Sequence, residues 1–108
     1  MKNTELITFS CNFYSQHGED GVIHEILKKL PERDKWCVEF GAWDGVFLSN
    51  VRQLIKEENY AAVLIEGSKN KFNELKVNYQ EFSNVTVMNS MVGLKGKYCL
   101  DSILKDTK

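Results

Sequence analysis

The sequence is short of the features that mark specialised classes of protein. No apolar run approaches the ~20 residues needed to span a bilayer, so no membrane partner is expected. The start, Met1-Lys-Asn-Thr-Glu-Leu6, has no continuous apolar stretch behind its lysine and does not read as a secretory signal. Charge of one sign is also missing. Fourteen basic residues against fifteen acidic ones leave a formal charge of −1, without the basic footprint that nucleic-acid binding requires. The three cysteines, Cys11, Cys37 and Cys99, are odd in number and far apart. No pair has metal-ligand spacing, and neither His17 nor His24 lies close to a cysteine, so no metal site is expected. A reducing cytoplasm is the expected location. Repeats, low-complexity tracts and linkers are absent.

What remains is the composition of a soluble globular domain, 43% apolar and 27% charged over 108 residues. A chain of this length forms one domain and buries roughly two-thirds of its surface. Its most informative segment is Trp36-Cys-Val-Glu-Phe-Gly-Ala-Trp-Asp-Gly45. A short apolar run with one carboxylate breaks into two glycines four positions apart, and an amphipathic stretch follows. That is the pattern of a strand, a tight nucleotide-binding loop and a helix.

A second apolar run, Tyr60-Ala-Ala-Val-Leu-Ile65, ends on Glu66, twenty-one residues after Gly45. An acid there sits at the tip of the next parallel strand, where it can accept hydrogen bonds from ribose hydroxyls. Together the two signals favour an adenosine-type ligand over a bare phosphate.

The remaining elements follow from periodicity. Ile23, Ile26, Leu27 and Leu30 mark a helix from Gly18 to the break at Pro31, with Glu19 and Asp20 in its first turn and Lys28 and Lys29 in its last. Val51, Leu54 and Ile55 mark a helix from about Ser49 to Glu58, with Ser49 or Asn50 as N-cap. Phe72, Leu75 and Tyr79 mark another from about Lys69 to Gln80. Val85-Thr-Val-Met88 reads as a third strand, residues 91–99 as a short hairpin around Gly93 and Gly96, and Asp101 to Asp106 as the start of a helix. The order, helix then β-α-β-α-β, predicts an α/β, Rossmann-like three-layer parallel sheet with a terminal hairpin. Right-handed crossovers put the helices after strands 36–40 and 61–66 on one face. The other face then depends on the helix at 18–30, and strand 36–40 is an open edge. On this reading the sequence is the first half of such a fold.

At the loop, Gly41 and Gly45 let the backbone turn sharply and approach a ligand closely. The following helix is expected to aim free N–H groups at a carboxylate or phosphate. Gly-x-x-x-Gly lacks the middle glycine of a pyrophosphate-binding loop, which disfavours a nicotinamide dinucleotide. S-adenosylmethionine wants an anion site and a carboxylate for its amino-acid end, an acid for its ribose, and an apolar slot with a polar edge for adenine. Glu39 either meets the ammonium group of such a ligand or is held by backbone N–H groups of the loop. A carboxylate in a strand is costly to leave unpaired, so one partner is expected. Asp44 is a candidate turn former, and Trp43 either lines a ligand slot or covers the strand edge.

The succession Ser15-Gln-His-Gly-Glu-Asp20, Val38-Glu-Phe-Gly-Ala-Trp-Asp-Gly45, Ser49-Asn50, Leu64-Ile-Glu66, Phe72 to Leu75 and Leu100-Asp-Ser-Ile-Leu104 resembles the FkbM-type methyltransferases. The resemblance spans about Tyr14 to Leu104. It implies a Rossmann-like fold that binds S-adenosylmethionine and transfers a methyl group, typically to an oxygen of a sugar or natural product. Carried over by position, Glu39, Gly41, Ala42 and Gly45 would hold the methionine end, Glu66 the ribose, and Asn89 and Ser90 the region of the adenine. Gln16, Glu19 and Asp20 would either close over the cofactor or serve only to cap a helix.

The family continues past the Leu-Asp-Ser-Ile-Leu motif into an acceptor-binding half, so no general base can be nominated. The segment by itself is expected to bind cofactor weakly at best and not to turn over. The alternative reading is a non-catalytic paralogue or interaction module that self-associates through the open edge at 36–40.

Overall fold

The computed structural model describes residues 6–94 and 96–105. After a 3₁₀ turn at Leu6–Phe9, the elements are α1 (Glu19–Lys28), β1 (Trp36–Phe40), α2 (Arg52–Glu58), β2 (Ala61–Glu66), α3 (Lys69–Asn78), β3 (Val85–Asn89) and α4 (Leu100–Leu104). The three strands form one parallel sheet in the order β1-β2-β3, in register Val38↔Val63 and Val63↔Thr86. This is the α/β arrangement of a βαβαβ unit of Rossmann type. No helix among the described residues is long and apolar enough to cross a membrane.

β2 is central, and its run of β-branched and apolar residues suits burial on both faces. Val63, Leu64 and Ile65 are fully buried, each worth about 1.5–3 kcal/mol over an exposed position. Strand alternation divides the sheet between two clusters. Ala62 and Leu64 pack with Leu54 and Ile55 of α2 and Leu75 of α3, beside Tyr79. Val63 and Ile65 pack with Ile103 of α4, flanked by Trp36, Met88, Val92, Leu100 and Leu104.

The position of α1 corrects the expectation from sequence. Ile23 and Leu27 pack into the cluster of α2 and α3, and His24 Nδ1 lies 3.3 Å from Glu58 Oε2 at the end of α2. The opposite face is covered by α4 instead. The segment at 91–99 is not a hairpin. Its 3₁₀ turn at Gly96–Tyr98 is held by the Gly93 N–H donating to Tyr98 O (2.7 Å) and leads straight into α4. Lys95 and Asp106 lie outside the described residues. β1 is an edge strand, as expected, with Val38 38% and Phe40 55% exposed.

Candidate functional site

In an open parallel sheet, ligands bind beyond the carboxyl ends of the strands. Here that end is built by the loops after Phe40, Glu66 and Asn89. Two depressions meet there and share Gly41. One, of about 410 Å³, is lined by Glu39, Gly41, Ala42, Trp43, Phe47, Leu48 and Ser49. The other, of about 370 Å³, is bordered by Phe40, Gly41, Glu66, Gly67, Ser68, Ser90 and Met91, with Val92 beyond.

Glu39, next to last in β1, faces the start of α2. Its Oε1 accepts from the Asn50 N–H (2.9 Å) and its Oε2 from Ser49 Oγ (3.0 Å). Burial pushes the carboxyl above its ordinary pKa, against the downward pull of these two hydrogen bonds. Ser49 Oγ in turn accepts from the Val51 N–H (3.2 Å) and the Arg52 N–H (3.1 Å). The amides of Asn50, Val51 and Arg52 at the entry to α2 are thus bonded inside the protein, and these N–H groups are not the free display toward an anion that was expected. The N-cap position is Val51, not Ser49 or Asn50 as expected, and the helical turns begin only at Arg52, because Ser49 and Asn50 are held by Glu39.

Glu66 is 6% exposed, not a solvated strand end. Its Oε1 accepts from the Trp43 N–H (2.7 Å) and its Oε2 from the Ser68 N–H (2.8 Å). The carboxylate pins the glycine loop to the loop after β2. Each oxygen has capacity for a further hydrogen bond, and Glu66 borders the second depression. Asn89 Nδ2 donates to Glu66 O (2.9 Å), clipping β3 to the end of β2. Ser90 donates its N–H to the same carbonyl (3.2 Å) and its Oγ–H to Met91 O (2.8 Å).

The two glycines differ in role. At Gly41 (φ +68°) a Cβ would meet nothing within 4 Å, so its Cα faces the open space that both depressions share. At Gly45 (φ +82°) a Cβ would collide with the ring of Tyr79 and come within 2.6 Å of Leu75 Cδ1. Gly45 therefore faces the core, where Tyr79 Oη donates to its carbonyl (2.7 Å). The structure brings Glu39, Gly41 and Ala42 to one depression and Glu66 and Ser90 to the other. Gly45 stands behind them, and Asn89 is a clip at the rim.

Asp44 is a turn former: its Oδ1 accepts from the Val46 and Phe47 N–H groups, both at 2.9 Å. Trp43 lines the first depression, 45% exposed, with Lys71 Nζ 4.8 Å from its ring centroid. Trp43 (φ 58°) and Leu48 (φ 61°) both hold left-handed backbone, which costs a non-glycine residue about 1–2 kcal/mol. Such strain gathers at functional loops. Asp20 and Glu19 are spent elsewhere. Asp20 is buried and accepts from the N–H groups of Phe13, Tyr14 and Ser15 and from Ser15 Oγ. Glu19 accepts from the His17 N–H (2.6 Å). Neither borders the two depressions, and Gln16 does not either.

Phe47, Leu48, Gly67, Ser68 and Met91 escaped the sequence reading. A signal for the first two existed: an apolar pair inside a loop, out of phase with the helix that follows. Among the described residues no group of three or more His, Cys, Asp or Glu side chains could hold a metal ion. Burial, and then the Glu39 charge, push the Cys37 thiol up to about 12, which disfavours the reactive thiolate form. The arrangement, acidic with apolar walls, is suited to a ligand that carries positive charge and hydroxyl groups. No family model matches the chain, and no curated protein or solved structure matches it either.

Proposed function

We propose that the chain binds S-adenosylmethionine across the carboxyl end of its sheet, as the cofactor-binding portion of a methyltransferase. The observation that carries this reading is the pair of carboxylates, Glu39 and Glu66, placed on either side of Gly41. A net cationic ligand with a ribose matches two acids, whereas a dinucleotide pyrophosphate would meet repulsion. The amides of Asn50, Val51 and Arg52 at the start of α2 point the same way, because they are already bonded to Glu39 and Ser49 and are not offered to a phosphate.

In this reading Glu39 receives the ammonium group, and Trp43 and Phe47 wall the methionine end. Glu66 accepts from the ribose hydroxyls while it holds the loop, and Ser90 and Met91 border the base. Bound there, the cofactor supplies an electrophilic methyl group. The contribution of this chain is to orient it, since in-line displacement depends mainly on positioning. The acceptor, on the resemblance noted above, is an oxygen of a sugar or other small molecule in the cytoplasm.

Calorimetric titration of the chain with S-adenosylmethionine tests the reading. Glu39→Gln should weaken binding by about tenfold, the effect of losing one charge-assisted contact. Equal affinity of both proteins would remove Glu39 from the site.

A further inference from the structure

We infer that Arg52 is a positioning residue for Glu39, and that Tyr14 and Asp20 act on the site through it. The inference rests on the reading of Glu39 as the group that receives the ligand's positive charge. Arg52 opens α2, a helix of seven residues whose N-cap, Val51, makes no side-chain hydrogen bond. So short a helix does not fix its own start, which depends on tertiary contacts. The Arg52 N–H donates to Ser49 Oγ (3.1 Å), and the same hydroxyl donates to Glu39 Oε2 (3.0 Å). The Asn50 N–H, between them in the chain, donates to Glu39 Oε1 (2.9 Å). Holding Arg52 in place therefore holds both partners of the carboxylate.

The side chain of Arg52 is held by three aromatic rings. Its Cζ lies 5.0 Å from the ring centroid of Tyr79, 5.5 Å from that of Phe82 and 5.8 Å from that of Tyr14. All three are within reach of a cation–π contact. Nε and Nη1 are buried without a hydrogen-bond partner among the described residues, and no ion pair there involves the guanidinium. The ring faces thus stand in for a carboxylate, and the cation is stabilised only while it stays between them. Each wall of the cage is fixed in turn. Tyr79 Oη donates to Gly45 O (2.7 Å), and the Phe82 ring packs on Tyr79 with centroids 5.1 Å apart. Tyr14 closes the cage from the N-terminal segment. Its N–H donates to Asp20 Oδ2 (2.7 Å), and Lys56 Nζ, one turn beyond Arg52 on α2, lies 3.5 Å from its Oη. Asp20 touches neither depression, yet it sets the ring that covers Arg52. The acid of Ser15-Gln-His-Gly-Glu-Asp20 thereby gains a use that neither closing over a ligand nor capping a helix supplies.

Proton NMR of the ligand-free chain reads this arrangement directly. The Asn50 amide proton should shift as Glu39 ionises, because it donates to that carboxylate. The neighbouring Cys37 and Tyr79 titrate far above that range. In Arg52→Met, which keeps a long apolar stem and loses the cation, the step should vanish from Asn50 while the amides of β2 and β3 keep their wild-type positions. A general loss of stability would not single out one proton. Tyr14→Leu, at a partly exposed wall of the cage, repeats the comparison if Arg52→Met misfolds. Tyr14→Phe keeps the ring and should titrate as the wild type does. Calorimetry then adds the ligand: S-adenosylmethionine affinity should fall about tenfold in Arg52→Met and Tyr14→Leu and hold in Tyr14→Phe. Because the amide titration needs no cofactor, its result is separate from whether the wild-type chain binds S-adenosylmethionine. An Asn50 step that survives both Arg52→Met and Tyr14→Leu, or that is lost equally in Tyr14→Phe, would overturn the inference.

Discussion

Replacing each loop glycine by alanine should separate ligand approach from packing. Gly41 and Gly45 share a left-handed backbone, at φ +68° and +82°. Each substitution therefore carries the same conformational penalty, about 1–2 kcal/mol. At Gly41 that is the whole cost to the fold, because the added methyl group enters open space. At Gly45 the methyl group strikes the Tyr79 ring and Leu75 Cδ1, both buried, and the collision is with core side chains that have little room to yield. Overpacking of this kind adds about 1–3 kcal/mol, for a total of about 2–5 kcal/mol. A chain of this size is stable by only about 5–15 kcal/mol, so Gly45→Ala should lose a large share of its stability. Urea unfolding followed by circular dichroism at matched chain concentration gives both numbers. Gly41→Ala should shift the free energy by less than about 2 kcal/mol and yet reduce cofactor affinity. Equal destabilisation by the two substitutions would refute the division of roles, as would a Gly41→Ala protein with unimpaired binding.

Further outcomes follow from the same contacts. Glu66→Ala should weaken S-adenosylmethionine binding by about ten- to a hundredfold, from charged hydrogen bonds of about 1.5–3 kcal/mol each. It should also loosen the glycine loop, seen as faster amide exchange at Trp43 and Ser68. Gly41→Val should abolish binding by filling the space the two depressions share, as titration calorimetry would show. Asp20→Ala should cost at least about 2 kcal/mol in urea unfolding, since it strips partners from the buried turn at 13–15. For Glu39, whose pKa is higher folded than unfolded, the folded chain binds the proton more tightly. Its stabilising share is present in acid and is lost as pH rises from the ordinary carboxylate value through the folded one. Glu39→Gln should flatten that part of the stability–pH curve, and an unchanged slope would contradict the assignment.

The sheet was legible in the sequence because its strands are short apolar runs bounded by turn residues. Ala61–Glu66 emerged with its expected limits. The helices were legible as stripes, but a stripe does not say which face of a sheet it will cover. That is why α1 was expected opposite α2 and packs beside it, leaving α4 to cover Val63 and Ile65. Glu39 and Glu66 stood out because acids at the ends of apolar strands are unusual. Their bonds to Asn50 and Trp43 could not be read, because they depend on how two loops fold back over the sheet end. Gly45 was misleading for a similar reason: spacing finds a loop glycine, but only the packing of α3 shows that it faces Tyr79.

The central claim is that the carboxyl end of this sheet holds S-adenosylmethionine between Glu39 and Glu66. Titration calorimetry of the wild-type chain with S-adenosylmethionine, repeated in the presence of S-adenosylhomocysteine, tests it most directly. The account predicts saturable one-to-one binding with a dissociation constant below about 1 mM, competed by the homocysteine form and lost in Gly41→Val. An absence of saturable heat at millimolar cofactor, or binding that persists in Gly41→Val, would contradict it.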